Sequence, residues 1–117
     1  MKLNKIISAY EATEALANVS GLSKDDQWAI FKLRKSLRTH KDFKEEREEK
    51  IREKFIPYAD STGTLTGQPY SDYVKEVTEL YNMEVDYKPD EETILPLVDG
   101  INFKQMEALE DFVTFKK

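Results

Sequence analysis

Between Gly21 and Pro57 the chain contains neither glycine nor proline, the two residues that most readily end a helix. Ser23 stands just ahead of Lys24-Asp25-Asp26, where a hydroxyl can accept from the free amides of a first turn and two carboxylates suit the positive end of a helix dipole. The spacing predicts one helix from Lys24 to Phe55, about 32 residues and roughly 48 Å long at 1.5 Å per residue. A compact chain of 117 residues has a radius of gyration near ~13 Å and a body only about 35 Å across. Such a rod outreaches its own globule.

The two halves of this rod differ. Trp28, Ile30, Phe31, Leu33 and Leu37 give the first half a broad apolar face, whereas residues 38 to 54 carry only Phe43 and Ile51 among thirteen charges. Glu46 with Lys50 and Glu48 with Arg52 are favourable i,i+4 pairs, each worth about 0.2–0.5 kcal/mol, so the segment can stay helical while solvated. A heptad register puts Ile30, Leu33, Leu37, His40, Lys44, Arg47, Ile51 and Lys54 in the a/d seam. Half of these are apolar, which disfavours a long autonomous coiled coil. The second half is therefore expected either to project as an arm or to pair with another chain, offering Ile51 and Phe55 to that partner.

Upstream, Leu3, Ile6, Ile7, Tyr10, Thr13 and Ala17 recur at three- and four-residue steps, the pattern of an amphipathic helix packing by one face. Laid over Trp28 to Leu37 it makes a helical hairpin. Residues 60 to 69 concentrate turn formers and predict a flexible loop or a short exposed hairpin. Tyr70, Tyr73, Val74, Val77, Leu80 and Tyr81 predict a third helix as far as Asn82, with Ser71 as its cap. Met83 to Tyr87 alternates apolar and acidic residues, and Thr93 to Val98 is an apolar run broken by Pro96; the two suit a small edge pair of strands. Asn102 caps a last helix with Phe103, Met106, Leu109, Phe112 and Val113 on one face. The expected fold is a mainly α single domain over residues 1–117: a long helical hairpin (3–58), a flexible loop (59–69) and a C-terminal lobe (70–117) of helix plus short strands, the minor α+β part.

Composition removes much chemistry. With no cysteine and one histidine, His40, thiolate nucleophiles, sulfur-bound zinc and multi-histidine metal sites are excluded. No Gly-rich phosphate loop and no G-x-S-x-G elbow is present. The carboxylates of Asp90-Glu91-Glu92 and of Glu45-Glu46 with Glu48-Glu49 lack EF-hand spacing and a histidine companion. His40, between Thr39 and Lys41 in the charged helix, reads as a surface residue. Neither enzyme activity nor a cofactor is expected. No run approaches the roughly 18 apolar residues of a membrane span, and Glu11 and Glu14 follow the opening too closely for a signal peptide, so a soluble intracellular protein is expected.

Charge is unevenly placed. Residues 71 to 111 hold twelve acids against three basic residues, in a chain whose net charge is −5. An acidic face there, with Asp86, Asp90, Glu91 and Glu92, can mimic a phosphate backbone and steer toward a basic partner; it can equally be an ordinary solvated surface. Lys32, Arg34, Lys35, Arg38 and Lys41 lie within ten residues free of acid, and 34, 38 and 41 share a helix face, a pattern suited to phosphate contact. Their stems can also simply cover apolar helix surface. Trp28, Phe31, Phe112 and Phe115 fit buried helix faces better than a stacking platform.

In order along the chain come the opening Met1-Lys-Leu-Asn-Lys-Ile-Ile-Ser-Ala-Tyr-Glu-Ala, Ala15-Leu-Ala17, Gly21-Leu-Ser23, the charged run Phe43-Lys-Glu-Glu-Arg-Glu-Glu-Lys-Ile-Arg-Glu-Lys-Phe55, the polar Gly-containing loop, Tyr73 to Val85 and Met106-Glu-Ala-Leu109. This arrangement resembles a family of small phage and prophage proteins of unknown function. The resemblance implies a phage-encoded protein of the host cytoplasm with no assigned chemistry and no catalytic residues. Together these readings favour a non-enzymatic interaction protein that self-associates or binds a host or phage protein. An inhibitor of a host defence or nucleic-acid-processing protein acting through the acidic surface comes second, and a nucleic-acid-binding accessory protein third.

Overall fold

The Ser23 hydroxyl accepts from the Asp26 amide at 3.1 Å, and from Lys24–Phe55 the chain runs as one unbroken helix of 32 residues, α2. It ends in a 3-10 turn, Ile56–Tyr58, built on Pro57. The computed structural model describes residues 1–88 and 92–116. The molecule measures 52 × 28 × 20 Å with a Cα radius of gyration of 17.5 Å, so α2 sets its long axis. The fold is mainly α with a minor β part.

Helix α1 (Leu3–Ala17) is buried on more than the single face its periodicity suggests, with Leu3, Ile6, Ile7, Ala9, Tyr10, Ala12, Thr13 and Leu16 all inside. One side packs on α2, and α4 (Phe103–Leu109) covers another. The small Ala9 and Ala12 permit close packing there. The main core joins Ile6, Ala9 and Leu16 of α1 to Ile30, Leu33 and Leu37 of α2, and closes over Leu95, Leu109, Phe112 and Val113.

The second half of α2 does not stand alone as a bare arm. Helix α3 (Gly67–Tyr81) lies against it. Phe55 is 7% exposed, with its ring edge-on to Tyr73 at 5.7 Å between centroids. Ile51 and Phe43 pack on a smaller cluster of Leu3, Ile7 and Leu80. Lys54 Nζ meets Glu76 Oε1 at 2.7 Å, and the Tyr81 hydroxyl donates to Glu48 Oε2 at 3.3 Å. Of the two residues expected to face a partner, Phe55 is buried against α3 within the chain and Ile51 is half-buried beside Leu80. Helix α3 starts at Gly67, ahead of the expected Ser71 cap; Gly67 takes a left-handed φ of +64° that suits glycine, and Pro69 fits the first turn, where an N–H has no acceptor. The segment before it folds as a turn in which Asp60 Oδ1 accepts from the amides of Thr62 and Thr64 at 2.8 and 3.0 Å.

The strand pairing also differs from expectation. Strand β1 (Thr93–Pro96) pairs in parallel with β2 (Val113–Lys116), in register Thr93 with Val113 through Pro96 with Lys116. Helix α4, held by a reciprocal Asn102–Gln105 capping box, makes the crossover that parallel strands require. It stops at Leu109, short of Phe112 and Val113, where Val-Thr-Phe is a better strand former than helix former. Residues 83–87 do not join this sheet. They meet the start of α1, with Leu3 N donating to Met83 O and Val85 N to Met1 O, both at 2.9 Å. Just past β1, Leu97 N donates to Lys116 O, so position 96 turns its amide side away from β2; Pro96 has no N–H to leave unpaired there.

Candidate functional site

Along the first half of α2, Ile30, Leu33 and Leu37 face the core. Positions 28, 31, 34, 38 and 41 advance by three or four residues along another side of the helix, with Lys35 beside them, so they form one continuous row. This row carries aromatic and cationic residues only. Trp28 and Phe31 were expected in the core and are not there: they are 59% and 49% exposed, and their rings stack on each other at 5.3 Å with 19° between planes. The reason is angular. A residue three before or after a core position still falls on the core side, but the pair 28 and 31 straddles Ile30 and points the opposite way.

Tyr10, from α1, forms the floor of the cationic part. Arg34 Nη2 donates to the Tyr10 hydroxyl at 3.3 Å, and its guanidinium carbon lies 5.0 Å from the ring centroid. Lys41 Nζ stands 5.4 Å from the same ring. Hydrogen bonding from Arg34, then from Arg38, holds the phenol below the ordinary tyrosine range. Three cations thus converge on a single phenol. Lys41 also meets Glu45 at 3.3 Å, but among the described residues Arg34, Lys35 and Arg38 have no carboxylate within ion-pair distance. The four expected phosphate-contacting residues, Arg34, Lys35, Arg38 and Lys41, are therefore brought together, with Trp28, Phe31 and Tyr10 as neighbours the sequence reading did not assign to them. Counting the turn of the helix outward from the Ile30–Leu33–Leu37 row is the signal that identifies the first two.

The other candidates are weaker. Asp86 is exposed, and Glu92 accepts from the Thr114 hydroxyl at 3.0 Å; Asp90 and Glu91 lie outside the described residues, so the acidic face has no geometry to argue from. A groove of about 560 Å³ between the end of α2 and α3 is lined by Lys54, Tyr58, Asp72, Lys75 and Glu76, of opposite charges that answer one another. His40 places its ring edge-on to Tyr87 at 5.9 Å. Among the described residues no three histidine or carboxylate side chains group to hold a metal ion, and no helix is long and apolar enough to cross a membrane. Comparison with protein-family models, with curated proteins and with solved structures found no match to this chain.

Proposed function

We propose that this chain is a non-enzymatic binding protein whose working surface is the outer side of α2 from Trp28 to Lys41, and whose partner presents anionic groups to it. The observation that carries this reading is a stacked aromatic pair left in solvent on the same row as two arginines that meet no carboxylate among the described residues. Burying an aromatic side chain is worth about 1.5–3 kcal/mol, so two left exposed together mark a surface that gains from being covered. Guanidinium forks match carboxylate and phosphate oxygens in pairs, and they gain most where the surrounding surface is apolar.

This keeps the expected class, an interaction protein, and moves its surface from the far half of α2 to the near half. The resemblance to small phage proteins supports an accessory role of this kind inside a host cell. Heparin, a sulfated polyanion, tests the reading directly. Despite its net charge of −5, the chain is expected to be retained on immobilised heparin at low salt. A Lys35→Gln/Arg38→Gln variant should elute earlier, whereas Lys50→Gln, on the far half, should not change elution. Flow-through of the unmodified chain at low salt refutes the proposal.

A further inference from the structure

Resting on that reading, we infer that the anionic partner is single-stranded nucleic acid, running along α2 with bases stacked on the Trp28–Phe31 pair and phosphates against Arg34, Lys35 and Arg38. The pair offers flat ring surfaces in solvent, and every base has a face that can stack on them. Phosphate contacts follow at once along the same row, with no acid on α2 between Asp26 and Asp42. From position 28 to 41 the row covers about 20 Å, room for an extended strand of a few nucleotides.

Other occupants fit this surface less well. In a duplex, base faces are already stacked on one another and have none to give to Trp28. A second copy of this chain, docked through the same row about a two-fold axis centred between residues 28 and 31, sets Lys35 of each copy against Lys24 of the other. An acidic peptide answers the cations but has no planar group for the rings.

Trp28 is the one tryptophan in the chain, so its fluorescence reports on the proposed contact without a label. Titrating the full chain with a short oligothymidylate at low salt should quench it. For three phosphates neutralised, the log of affinity should fall against log salt with a slope near about −2, and Arg38→Gln or Lys35→Gln should each remove about 0.7 of that slope. Phe31→Ala should weaken binding on the order of tenfold. Followed by anisotropy of a labelled strand, Trp28→Ala should lose affinity and Trp28→Phe should recover most of it, with circular dichroism showing that each variant folds. Absence of quenching at low salt overturns the inference, as does equal or tighter binding of a duplex of the same length. Equal binding of oligoglutamate overturns it too while leaving the anionic-partner reading in place. Failure of the oligonucleotide together with failure on heparin removes both.

Discussion

Tyr10 joins the core to the proposed surface, because the residue is only 9% exposed, within the main core, while its hydroxyl meets Arg34. Tyr10→Phe should cost about 1–2 kcal/mol in urea denaturation, the worth of a hydrogen bond from a charged donor. The loss should depend on pH in one direction. A phenol whose folded pKa is lowered releases its proton in the native state first, so the unfolded chain binds more protons and native stability rises with pH over that window. The gap between wild type and Tyr10→Phe should therefore widen as pH rises toward the ordinary tyrosine value near 10. A gap that stays constant or narrows over that window shows that the arginines do not act on the phenol. At the other end of the charge scale, Asp60 is held below the usual carboxylate range by the Thr62 hydroxyl and then by the Thr64 and Thr62 amides. Its contribution to the turn is present above the unfolded carboxylate pKa and is lost as pH falls through the folded one.

At the level of elements, the docking of α3 on α2 can be tested apart from the main core. Phe55→Ala should cost about 3 kcal/mol, the scale of a buried ring removed, and should speed amide exchange across residues 67–81 more than across α1. Leu37→Ala, from a side chain with no exposed area, should cost a similar amount but act on both helices of the hairpin. If Phe55→Ala leaves exchange in α3 unchanged, that helix is held by something other than this ring. The limits of α2, the Ser23 cap and the Asn102 cap were legible in the sequence because each depends on residues within one turn of it. The coverage of residues 43–55 was not, since the charges there read the same whether the helix faces water or another helix. What decides it is a tyrosine and leucine stripe some twenty-five residues downstream. The same holds for strand partners: local alternation pointed to residues 83–87, but the parallel neighbour of β1 is set by where α4 returns the chain. In the candidate site the cations were legible from their acid-free run, while Trp28 and Phe31 were misassigned because apolar type was weighed above angular position.

For the molecule as a whole, small-angle scattering should give a radius of gyration close to the 17.5 Å of the Cα trace and a pair-distance curve with an extended tail. A value near ~13 Å, that of a sphere-like chain of this length, means that α2 does not run straight in solution. A particle with a long side also has a small sheet with a long-term hazard, since any two-stranded ladder leaves outer rims where a foreign backbone can attach. Here the rim beside β1 presents an imino ring in place of a donor, so an incoming segment finds no hydrogen to accept and zippering halts after a residue or two. Concentrated solutions of the native protein should thus resist growth of amyloid-type ribbons from this rim, and Pro96→Val should raise thioflavin fluorescence on prolonged incubation.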